Sequence, residues 1–117
     1  MKQYTTPEQT AKLIEMGLEK PKSISGYCQR GPYEYDTETN TKMVVYDDTQ
    51  YPIYAYSIGE LIEMLSNDDV ATTRFEYDGF NWFVDWDSLD HMRQTVGVEL
   101  VDALYDMVVK LKEEGVI

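Results

Sequence analysis

The sequence predicts an α+β fold: a single two-layer domain in which an antiparallel sheet of four or five strands packs against three helices. Three observations predict it. Two capping boxes each precede apolar residues at helical spacing, a long apolar seam lies near the C-terminus, and runs rich in aromatic and β-branched residues fill the segments between. The chain has 117 residues, 43% hydrophobic and 27% charged, which is the size and balance of one globular domain spanning 1–117.

The first helix begins at Thr6-Pro7-Glu8-Gln9, where a capping threonine, a proline at the first helical position and a glutamine that reaches back to the cap amide coincide. Ala11, Ile14 and Leu18 continue the stripe, Gly17 supplies a left-handed stop, and Pro21 blocks continuation. Strands are expected at Tyr33–Tyr35, Met43–Tyr46 and Ile53–Tyr56, with Asp36 to Asn40 as an exposed connection. A second helix follows from the box Ser57-Ile58-Gly59-Glu60, with Ile58, Leu61, Ile62 and Leu65 on one stripe.

Next comes a hairpin of Ala71–Tyr77 and Phe80–Asp87. Asp78-Gly79 suits a two-residue type I′ turn, which would set Tyr77 opposite Phe80, Phe75 opposite Trp82 and Thr73 opposite Val84. Arg74, Glu76, Asn81, Phe83 and Asp85 fall on the other, wetter face. The segment from Asp85 to His91 reads as the end of that strand and a loop leading to the last helix. That helix, from about Gly97 to Glu114, buries Val101, Leu104, Val108 and Leu111, widened by Leu100 and Met107, and Gly115 ends it.

Charge is the second theme. Ten Lys and Arg oppose 22 Asp and Glu, a net charge of -12 that opposes direct contact with nucleic acid or anionic lipid. Residues 1–30 hold five bases and three acids, whereas 31–117 hold five bases and nineteen acids. With a single cysteine, Cys28, no intrachain disulfide is possible and a reducing compartment fits. No apolar leader precedes the first helix and no stretch approaches the roughly 20 apolar residues of a membrane span, so a cytoplasmic setting is expected.

Chemistry-bearing motifs are sparse. Asp85, Asp87, Asp90 and His91 gather oxygen and imidazole ligands, but the spacing lacks the turn glycine and distal glutamate of a calcium loop, so no metal is assigned. Cys28 as a nucleophile would need His91, the only histidine, as its base. The seven glycines form no phosphate cradle, so no cofactor is implied. The feature with most leverage is aromatic: ten tyrosines, among them Tyr33, Tyr35, Tyr46, Tyr51, Tyr54 and Tyr56 within one central stretch. Tyrosine offers stiff contact area with a polar tip, and strand alternation cannot bury both Ile53 and Tyr54. Glu99, Asp102, Asp106 and Glu113 form an acidic stripe on the last helix, with Glu60 and Glu63 on the second.

At Tyr4–Leu13, Tyr54–Leu65 and Leu100–Asp106 the chain resembles small uncharacterised proteins of phage-like and conjugative elements in gut anaerobic bacteria. The resemblance runs over the full length and implies a mobile-element context, with no activity or catalytic residue to carry over. These readings favour a non-enzymatic interaction module whose partner is a protein with a basic surface. Tyr33, Tyr35, Tyr46, Tyr54, Tyr56, Glu99, Asp102 and Asp106 are its candidate contact residues. The alternatives are a decoy that mimics DNA before a nucleic-acid-binding protein, and a small enzyme or ligand- or metal-binding domain using Asp85, Asp87, Asp90, His91 or Cys28.

Overall fold

The computed structural model describes residues 1–36, 41–66, 71–89 and 91–117, with 29–36 and 41–50 described as main chain only. The element order is α1 (Pro7–Glu15), β1 (Ser23–Asp36), β2 (Thr41–Ala55), α2 (Ile58–Leu65), β3 (Thr72–Tyr77), β4 (Trp82–Ser88), β5 (His91–Gly97) and α3 (Leu100–Glu113). The class is α+β with three helices, but the strands form two antiparallel sheets, β1-β2 and β3-β4-β5, instead of one sheet of four or five.

The N-terminal segment joins the chain just past the end of β2. Where β2 ends, Thr5 donates its N–H to the Tyr56 carbonyl at 3.0 Å, Tyr56 donates its N–H to Thr5 Oγ1 at 3.0 Å, and Tyr4 bridges to Ser57. The main-chain N–H and C=O of Tyr56 are thereby both satisfied by Thr5. Thr5 is buried and shares a hydroxyl contact of 2.7 Å with Thr10, so α1 is pinned to the hairpin root by a closed polar network.

The helices follow their capping signals. Both boxes close: Gln9 donates its N–H to Thr6 Oγ1 while Gln9 Oε1 accepts from the Thr6 N–H, and Glu60 and Ser57 do the same around α2. Gly17 and Gly115 have φ of +91° and +73°, the left-handed geometry expected of helix stops. The seam of α3 is buried throughout, from Leu100 and Val101 through Leu104, Met107 and Val108 to Leu111. It packs over β4 and β5, where Val84 and Trp86 have no solvent exposure. The Trp86 indole N–H donates to the Leu65 carbonyl at 2.9 Å, tying the central strand to the last turn of α2.

The β3–β4 connection corrects the expected two-residue turn. Asp78, Gly79, Phe80 and Asn81 make a four-residue loop in which Asp78 Oδ1 accepts the N–H groups of Phe80 and Asn81 at 2.8 and 2.7 Å, with Gly79 at φ +100°. Tyr77 therefore pairs with Trp82, Phe75 with Val84 and Thr73 with Trp86. The slip is two residues, and because side chains alternate with a period of two, the residues that remain in the ladder keep their predicted faces, while Phe80 and Asn81 move from strand into loop.

β5 replaces the expected loop. The chain returns after Ser88, and Ser88 to Trp82 pair in order with His91 to Gly97. Gly97 is thus the last residue of a strand and not the first of α3. It sits where a Cβ would meet the Ala103 nitrogen and the Glu99 oxygen at 3.2 Å, so strand and helix approach closely there.

Trp86→Phe tests the central packing. It removes the indole N–H from Leu65 and opens a void beside α3, and about 2–4 kcal/mol of stability should be lost in urea titration. A loss below about 1 kcal/mol would show that the Trp86 contact is not central to the fold.

Candidate binding surface

Three surfaces carry the residues that sequence reasoning singles out. The first is the β1–β2 hairpin. Its strands run 14 and 15 residues, or about 45 Å at the usual rise per residue, against an overall extent of 62 × 32 × 20 Å. The radius of gyration, 18.0 Å, exceeds the roughly 13 Å of a compact chain of this length, so the hairpin projects from the body as an arm. Register shifts occur between Ile24 and Gly26, Cys28 and Arg30, and Arg30 and Tyr33, each adding local twist.

At the root of the arm, Ile24 pairs with Tyr54 and Tyr27 with Pro52. These positions share one face, on which Tyr54 is 52% and Tyr27 60% exposed. Tyr54 also borders a concavity of about 420 Å³ lined by Thr10, Ile14, Lys20 and Pro21. Tyr33, Tyr35 and Tyr46 stand in the distal ladder, with Tyr33 opposite Val44, Tyr35 opposite Lys42 and Tyr46 opposite Arg30; their side chains lie outside the described residues. Tyr56 is different. It lies just past the end of β2, is wholly buried in the core, and its hydroxyl donates to the Glu19 carbonyl. Burial first, and then Glu60 and Glu19, raise its pKa. It is a core residue and offers no ring face to a partner.

The second surface is the acidic edge of α3. Asp102 accepts from Lys2 Nζ at 2.7 Å and from Gln9 Nε2 at 2.9 Å, while Glu99 Oε2 accepts the Lys2 N–H at 3.1 Å. The N-terminal segment thus partly covers the first turn of the helix, where carboxylates also favour the helix dipole. Burial opposes the charge of Asp102, but the bonds from Lys2 and Gln9 outweigh it and hold the carboxyl below its ordinary pKa. One turn on, Asp106 has no such donor among the described residues: partial desolvation of its carboxyl, and then the Asp102 charge, raise its pKa. Glu99 and Asp102 are therefore engaged within the chain, while Asp106 and Glu113 are exposed.

The third surface was not expected. α3 covers β4 and β5 and leaves β3 open, so Phe75 and Tyr77 are 45% and 52% exposed on the face that should have been buried, with Phe80 at 81% in the loop. Their rings cluster with Trp82, at centroid distances of 6.4 Å from Phe75 and 5.0 Å from Tyr77. The signal was present in the sequence as aromatic residues on both hairpin strands, but the width of the helical layer was not.

The residues proposed for catalysis or metal binding are spread apart. Asp85 and Asp87 lie on the open face of the sheet, where Asp85 accepts from Gln94 Nε2 at 2.8 Å. His91 points to the opposite side from them, at the start of β5, and Asp90 lies outside the described residues. Cys28 is in the arm, opposite Tyr51. Among the described residues no group of three or more His, Cys, Asp or Glu could hold a metal ion. A concavity of about 460 Å³ between α2 and the α1–β1 connection is lined by Glu19, Lys20, Lys22, Tyr56, Glu60 and Glu63, none of them a predicted catalytic residue. Burial opposes the charge of Glu60, yet bonds from the Ser23 hydroxyl and the Lys22 and Ser57 N–H groups lower its pKa.

Compared with family models, curated proteins and solved structures, the chain matches none. Among the described residues no helix is long and apolar enough to cross a membrane.

The two helix carboxyls predict opposite pH effects. Asp102 has its pKa lowered by folding, so its contribution is present above the unfolded pKa and lost as pH falls through the folded one; Asp106 is raised, so its ionised form costs stability at neutral pH. Asp102→Asn should destabilise at pH 7 and Asp106→Asn should stabilise. Both differences should fade as pH drops below about 4, read as melting temperature across the titration. Shifts of the same sign would contradict the assignment.

Proposed function

We propose that the protein is a non-enzymatic interaction module that grips a partner of basic surface with the β1–β2 arm and the acidic body behind it. The observation that carries this reading is the arm itself. A two-stranded hairpin in water is marginal on its own, and this one leaves the body after its root yet carries exposed Tyr27 and Tyr54 and a tyrosine-rich distal sequence. An extended ribbon of stiff, amphipathic side chains gains most by lying on another surface. The net charge of -12 selects that surface: basic proteins are attracted and phosphate backbones are repelled.

The arrangement of carboxylates favours a protein partner over mimicry of DNA. Glu76, Asp85 and Asp87 stand on the open face of the sheet, whereas Asp102, Asp106 and Glu113 belong to the helical layer on the other side. Two opposed acidic surfaces fit a body enclosed by a basic partner, while a phosphate mimic needs a single ordered row. The mobile-element and cytoplasmic settings suggested by the sequence are part of the same proposal.

The test is affinity capture from a host lysate with the full chain and with a form whose residues 29–50 are replaced by a short turn. Basic proteins should be enriched by the full chain at about 50 mM salt and released at about 500 mM, where the Debye length is several-fold shorter. The shortened form should retain few of them. A captured set that ignores both salt and the arm would overturn the reading.

A further inference from the structure

We propose that β3 is a self-pairing edge, through which two copies of the chain join antiparallel across Thr72–Tyr77 with Phe75 opposite Phe75 of the second copy. β3 is the outer strand of its sheet, hydrogen-bonded to β4 on one side, and among the described residues no strand lies on the other. An open edge of this kind is a template for another strand.

The register follows from the ladder. Asp78 donates its N–H to the Asn81 carbonyl at 3.2 Å, in step with the regular pairing of Thr72–Tyr77 with Trp82–Asp87. Alternation then directs the N–H and C=O groups of Glu76, Arg74 and Thr72 toward β4, and those of Thr73, Phe75 and Tyr77 outward. A second β3 can bond only to these outward groups, which leaves few registers. Centring on residue 74 sets Arg74 against Arg74, and centring on residue 76 sets Glu76 against Glu76. Centring on Phe75 sets Arg74 of each copy against Glu76 of the other, in the non-hydrogen-bonded positions where opposed side chains approach most closely. The strand is therefore complementary in charge to its own reverse, the condition for an isologous two-fold contact. On the other face the same register brings together the two exposed Phe75 rings and places Tyr77 against Thr73, extending the Phe75–Tyr77–Trp82 cluster across the junction. This pairing is independent of the partner proposed for the arm.

Sedimentation velocity at about 150 mM salt tests it, over roughly 10–500 µM because a strand pair lies at the small end of interface sizes. The full chain should rise toward twice the monomer mass. Arg74→Glu and Glu76→Arg, each alone, should remain monomeric because like charges then face each other, and the double reversal should dimerise as the original does. The decisive arm mixes the two single variants: each is monomeric by itself, but together they restore both opposite pairs and should form a heterodimer. Heterodimer formation also shows that both variants are folded. A wild-type chain that stays monomeric throughout, a dimer indifferent to the single reversals, or single variants that stay apart on mixing would overturn the proposal.

Discussion

The body of the protein depends on one contact, the apolar seam of α3 laid across Val84 and Trp86 of the middle strand. Leu104, Met107, Val108 and Leu111 meet those two residues with no solvent exposure, and Leu61 and Leu65 of α2 close the same cluster. At about 25 cal/mol per Å² of apolar surface, burial on this scale is the only large favourable term available to a chain without disulfides. The helical layer is as wide as two strands. The elements beyond its reach, β3 and the arm, must be held by main-chain bonds and by whatever they meet in solution.

That constraint explains why some elements were legible in the sequence and others were not. Helix starts are local events, and Thr6-Pro7-Glu8-Gln9 and Ser57-Ile58-Gly59-Glu60 fix α1 and α2 through side chains at most three residues away. The faces of β3 and β4 were readable for a related reason: a period of two survives an error of two in loop length, as at Asp78–Asn81. β5 escaped because its pattern is inverted. Its outward positions include Met92 and Val96, at 76% and 45% exposure, while its inward positions are His91, Arg93, Thr95 and Gly97. That strand is fastened to α3 by polar contacts, from the Thr95 hydroxyl to the Ala103 carbonyl at 2.7 Å and from Arg93 to Glu114 at 2.9 Å, and hydrophobic alternation cannot report such a fastening.

The candidate surface divides in the same way. Exposure of Tyr54 follows from alternation within β2, whereas Tyr56, two residues on, is buried because the strand ends at Ala55 and the chain turns inward. Asp102 was correctly placed on α3, whereas Glu99 is the extended N-cap before it; their engagement by Lys2 and Gln9 joins residues about a hundred positions apart, beyond any local pattern. The length of the arm was hidden as well. Main-chain pairing resumes beyond Gly31-Pro32 and beyond Asp47-Asp48, with the register shifting at each: β2 advances five residues against two of β1 between Cys28–Tyr51 and Arg30–Tyr46, and β1 advances three against two before Tyr33–Val44.

The account's central claim is that a body organised around α3 and β4 carries an arm with little support of its own, free to close on a partner. Amide hydrogen exchange on the isolated chain tests it most directly. The slowest exchange should fall in α3 and β4, with amides of β1 and β2 beyond residues 28 and 51 exchanging far faster through local opening. Protection in that distal ladder equal to that of β4 would contradict the claim, because it would mean that the arm is stabilised within the single chain and has no need of another surface.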